Sequence, residues 1–154
     1  KNKTMKHFAG LAIMWLLSII VTDAHAQTGS KPKQFSQFPD VITCTEAQLS
    51  RIFDAAVGQT VQLSFSDNFS FDGPVINNVV KYSNLQSAVI KSPAFNNSIF
   101  SVSRITNNDR SVTYVGRIIN KNYFDGYELK QDASGKYRLV RIETDRAIPD
   151  CARP

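Results

Sequence analysis

From Gln59 to Glu143 apolar and polar side chains alternate with a period of two, and turn residues interrupt the alternation. Period-two patterning puts successive side chains on opposite faces of a strand, so such a chain can bury one face of a sheet but not one stripe of a helix. Val61, Leu63 and Phe65 alternate with Gln62 and Ser64. Ser66-Asp67-Asn68, Asp72-Gly73-Pro74, Ser83-Asn84, Asn107-Asn108-Asp109 and 131–135 read as turns, and Pro93 to Asn97 as a break. Asp125-Gly126, flanked by Tyr123-Phe124 and Tyr127, reads as a tight hairpin turn. In Ser111 to Ile119, Val112, Tyr114 and Ile118 share one face and Val115 and Ile119 the other, while Gly116 marks a bulge or a close backbone neighbour. Adjacent Leu139 and Val140 indicate a bulge or a strand apolar on both faces.

One helix precedes the strands. Thr45-Glu46-Ala47-Gln48 has the capping-box form, and Leu49, Ile52, Phe53 and Ala56 follow at helical spacing, with Gly58 placed to end the helix. The expected fold is mostly β (α+β at the margin): one short N-terminal helix followed by about seven antiparallel strands, as a sandwich or small barrel.

The first 26 residues read as a secretory signal peptide. Met5-Lys6-His7 is a short basic start, Phe8 to Val21 a 14-residue apolar run, and Ala24-His25-Ala26 an A-x-A cut site. The run is short for a bilayer span, which needs about 20 apolar residues, so no stable membrane insertion is expected after cleavage. Residues 1–4, ahead of Met5, read as an artefact upstream of the start. The domain plan is thus 1–26 signal peptide, 27–43 polar linker, 44–151 a single β-rich domain and 152–154 a tail, in a secreted or periplasmic protein.

Cleavage after Ala26 would remove both histidines, both methionines and the only tryptophan. What remains has no Ser-His-Asp or Cys-His pair and no His-ligated metal site. No calcium-binding loop motif is present either, so neither metal nor cofactor is expected. The remaining 15 basic and 12 acidic residues are scattered, without the clustered basic stripe of a nucleic-acid binder. Cys44 and Cys151 lie near the two ends of the domain, and export predicts a disulfide between them.

Candidate chemistry is then limited to carboxylates, aromatics and arginines. Asp125 with Glu128, and Asp67 with Asp72, are the near pairs for acid–base work, although turn aspartates commonly bond the local backbone instead. Tyr123, Phe124 and Tyr127, with Tyr82, Tyr114 and Tyr137, could stack on sugars or anchor a protein partner, or fill the sheet. Arg104, Arg117, Arg138 and Arg141 are candidates for one exposed sheet face that holds a carboxylate. The residues singled out for a ligand or partner are Tyr123, Phe124, Asp125, Tyr127 and Arg117. Asn68-Phe69-Ser70 and Asn96-Asn97-Ser98 match the glycosylation sequon.

Phe71 to Cys151, with its FDGPVINNVV, SIFSVSR, VTYVGRI and GKYRLVRIE phrases, resembles short, exported, uncharacterised β-rich proteins of Bacteroidota-type bacteria. The phrases Gly126–Leu129 and Gly135–Leu139 are also similar to β-rich propeptide modules of secreted proteases. Composition and resemblance together lead to an exported, non-enzymatic binding module with a protein or polysaccharide partner. The alternatives are a propeptide-like inhibitor of a secreted protease and, third, a small Asp/Glu-dependent carbohydrate-active enzyme.

Overall fold

A computed structural model describes residues 31–144. The signal-like segment, Cys151 and hence the expected Cys44–Cys151 bond lie outside the described residues. The elements run β1 (Val41–Cys44), α1 (Glu46–Asp54), β2 (Thr60–Ser66), β3 (Phe69–Tyr82), β4 (Leu85–Ser92), a 3₁₀ turn (Pro93–Phe95), β5 (Ser98–Thr106), β6 (Val112–Ile119), β7 (Asp125–Gln131) and β8 (Tyr137–Glu143). From β2 to β8 each strand pairs antiparallel with the next. β1 then pairs with β8 at the far edge, Ile42 opposite Leu139. Because β1 also lies alongside β2, the eight-stranded sheet curls into a nearly closed barrel whose seam runs between β1 and β2. A barrel-like sheet, not two packed layers, is the form the alternation takes.

The capping box of α1 forms as the sequence predicts. The Thr45 hydroxyl accepts the Gln48 N–H, and the Gln48 side chain accepts the Thr45 N–H at 2.7 Å. Leu49, Ile52 and Phe53 are buried. The helix stops at Asp54, before Gly58, because another element takes its last carbonyls: Asn78 Nδ2 on β3 donates to the carbonyls of Phe53 and Ala55. With those acceptors satisfied from outside, no left-handed cap is needed there.

Three sequence expectations change. Of the expected linker 27–43, the described part is built into the fold: 32–40 straps across one barrel end, and the first strand begins at Val41. Asp72-Gly73-Pro74 is no turn: β3 runs through it, and a Cβ on Gly73 would lie 2.1 Å from the Lys91 carbonyl oxygen. Asp125-Gly126 is likewise no turn, because the chain reverses earlier and Asp125 opens β7. Gly116 is the close-approach residue its sequence suggested, with Ser101 O 2.6 Å from where a Cβ would stand.

Inward-facing rings fill the barrel. Phe35 of the strap is fully buried against Phe69, Phe95 and Tyr127, with ring centroids 5.2–6.1 Å apart. The Asp125 carboxylate fastens the strap through the Gln34 and Phe35 amides. Phe71 and Phe100 continue the packing inward, and α1 closes the other end with Phe53 against Tyr114. Burying each such side chain is worth about 2–3 kcal/mol. Apolar-inside alternation is the reverse of a lipid-facing barrel, whose apolar band points outward. Among the described residues no helix is long and apolar enough to cross a membrane.

Candidate functional site

The residues singled out from sequence do not form one cluster. Asp125 and Tyr127 point into the barrel, 2% and 0% exposed. The Asp125 oxygens accept the backbone N–H groups of Gln34 (2.6 Å) and Phe35 (2.9 Å), and the Tyr127 hydroxyl donates to the Pro39 carbonyl (2.7 Å). Burial pushes the Tyr127 pKa up. Both residues hold the strap. Tyr123 and Phe124 lie half-buried on the loop before β7, where the Tyr123 hydroxyl accepts from Asn96 Nδ2 at 2.8 Å. Arg117 stands on the outer face of β6.

Strand alternation decides the carboxylate pair. Asp125 and Glu128 are three apart on β7, so their side chains leave opposite faces of the sheet. Asp72 is occupied as well, accepting from the Ser70 hydroxyl and the Leu63 N–H. The four arginines divide in the same way. Arg117 and Arg138 face outward. Arg104 covers the Phe53 ring at 5.1 Å, and Arg141 reaches Asp40 and the Phe38 carbonyl. A cleft of about 400 Å³ between strap and β8 brings Phe124, Asp125 and Arg141 together with Lys33 and Glu143, but its Asp125 is committed to the strap amides.

The outer face of β3–β8 carries the more extended arrangement. Register places Val79 opposite Ser87, Val89 opposite Ser101, and Ile99 opposite Ile119. Val79, Val89 and Ile99 are therefore diagonal neighbours, roughly 7–8 Å apart, and with Ile119 they form an aliphatic stripe across four strands. Val79 and Ile99 are 42% and 37% exposed. Hydroxyls flank the stripe, with Ser87 and Ser103 Oγ atoms 2.9 Å apart. Beyond them Arg117 and Lys130 both hold Glu128, each at 2.8 Å. The Lys130 and Arg117 hydrogen bonds keep the Glu128 carboxyl below the usual glutamate range. A groove of about 650 Å³ runs along Ser101, Val115, Arg117, Ile119 and Glu128.

Around the stripe stand Lys91, Arg117, Lys130 and Arg138, with Glu128 and Asp132 as the carboxylates that pair with them. Each carboxylate already bonds a cation. Sequence reading found Arg117 but missed the stripe, because Val79, Val89 and Ile99 become neighbours only through strand register. Among the described residues no group of three or more His, Cys, Asp or Glu side chains is placed to hold a metal ion. The chain matches no family model, no curated protein and no solved structure.

Proposed function

We propose that this chain is an exported, non-enzymatic binding module that docks an acidic protein surface on the outer face of β3–β7. The observation that carries the reading is the aliphatic stripe Val79–Val89–Ile99–Ile119 beside a net-positive Arg117–Glu128–Lys130 cluster. Aliphatic contact supplies affinity, while cations whose only local acids are already paired favour a negative partner and reject a positive one. The placement of the acids supports a non-enzymatic role: Asp125 and Asp72 bind the protein's own backbone, and Asp125 and Glu128 are divided by the sheet. The N-terminal apolar run with its A-x-A site supports export.

The test compares wild type with an Ile99→Ser, Arg117→Gln double variant that remains fully folded at the assay temperature. Both are used to capture native exported proteins by light cross-linking, and the recovered partner is then purified and titrated by calorimetry. The reading expects an acidic partner whose affinity falls at least about tenfold in the variant and weakens with salt. Equal affinity for both chains, or a partner basic at its contact face, would overturn it.

A further inference from the structure

We infer that the outer edge of β2, where it runs beside α1, is a second binding site that takes an extended, uncharged peptide by strand addition. In an antiparallel strand the N–H and C=O of alternate residues point to opposite edges. The Gln59 carbonyl accepts the Val75 N–H at 2.9 Å, and the Leu63 N–H donates to Asp72 on β3 at 3.0 Å. Odd-numbered main-chain groups thus face β3. The Ser64 carbonyl, of the other parity, accepts from Gln48 Nε2 of α1. Thr60 and Gln62 share the Ser64 parity, so their N–H and C=O groups point to the seam, away from β3.

Among the described residues no other strand of the sheet covers that stretch. β1 has four residues against seven in β2, and among the described residues no strand is hydrogen-bonded to β2 on this side. Natural edge strands are usually guarded by lysine, proline or a bulge. The β2 sequence TVQLSFS has no charge and no proline, and its register shift falls only at Ser64/Ser66. Between this edge and the last turns of α1 lies a groove of about 550 Å³, lined by Arg51, Asp54, Ala55, Thr60 and Gln62. Its length and its four outward main-chain groups match a strand of roughly three to four residues, at about 3.4 Å per residue. Arg51 and Asp54 offset one another at the rim, which favours a peptide without net charge. The groove is bounded by the helix, so it admits one thin strand more readily than the edge of a second barrel.

The probe is a capped, uncharged Thr-Val-Thr-Val-Thr peptide, titrated into the ¹⁵N-labelled intact chain. The Thr60 and Gln62 amides are expected to shift together and to exchange more slowly with solvent. Gln62→Pro removes the seam-facing N–H, a substitution an edge strand tolerates, and should weaken binding about tenfold relative to Gln62→Ala, which keeps that N–H, with the melting temperature kept. Thr60→Pro, at the first strand position, serves as the second variant should Gln62→Pro fail to fold. Unmoved Thr60 and Gln62 amides at millimolar peptide, or undiminished affinity in the folded proline variant, would overturn the site. Edge amides that shift with protein concentration alone would also overturn it, assigning the edge to a second copy of the chain.

Discussion

Phe35 and Asp125, ninety positions apart, are joined by a 2.9 Å hydrogen bond from the Phe35 backbone N–H to the buried Asp125 carboxylate. The second carboxylate oxygen takes the Gln34 N–H at 2.6 Å, so one side chain positions the strap that plugs the barrel with an aromatic ring. Asp125→Ala removes both acceptors and leaves two donors without them. The expected loss is about 3 kcal/mol, read as a lower urea midpoint. If the midpoint is unchanged, the strap is held by Phe35 packing alone.

Gly73 is a second point where the barrel admits no alternative. An alanine methyl there would meet the Lys91 carbonyl oxygen at 2.1 Å and the Lys91 carbonyl carbon at 2.8 Å, both backbone atoms. Gly73→Ala should destabilise the fold by about 3 kcal/mol, measured by thermal unfolding. A neutral result would mean that β3 and β4 separate locally at little expense.

Glu128 sets a pH dependence of known sign. Lys130, and after it Arg117, lowers the carboxyl pKa in the folded state. A group with a lowered folded pKa contributes stability above its unfolded pKa and loses it as pH falls through the folded one. Glu128→Gln should therefore be less stable than wild type at pH 7, by under about 1 kcal/mol for such a partly exposed pair. The gap should shrink below about pH 4. Melting curves of both proteins from pH 7 to pH 3 test this, and a gap that widens in acid would refute the assignment.

Cys44 is 3% exposed, and burial pushes its thiol pKa up to about 12. Since the thiolate is the reactive form, Cys44 should resist iodoacetamide at pH 8 in the folded chain, with a disulfide reductant present, and react once guanidinium unfolds it. Peptide mapping by mass separates its modification from that of Cys151. Rapid labelling of native Cys44 would place that thiol at the surface.

What could be read from sequence was what depends on neighbours in the chain. The Thr45–Gln48 capping box, the Val61-Leu63-Phe65 alternation and the Gly116 close approach are local or strictly periodic signals, and the structure repeats them. Asp125-Gly126 misled because the aspartate serves amides from residues 34 and 35, a demand its own neighbourhood does not display. Phe35 and Phe38 sit in a polar, proline-bearing stretch with too few apolar residues to show a period, so a plug read as a linker. The outer stripe needed three strand registers at once. The choice of Arg117 followed from its residue type and its place on an expected strand, and the stripe beside it was out of reach.

The pairing of the first strand with the last has a consequence for how the molecule is made. Strands β2 to β8 each meet a neighbour adjacent in the chain, so their hairpins need only short loops closed. β1 finds its place only after β8 exists, with Ile42 set against Leu139. Ordering it closes nearly the whole described chain into one loop, a late and entropically costly step. A chain emerging from a ribosome or a translocation pore therefore holds an open, curling sheet until β8 has appeared. A closure spanning that much chain slows folding, so the meeting of Ile42 with Leu139 bears on how quickly the finished barrel forms.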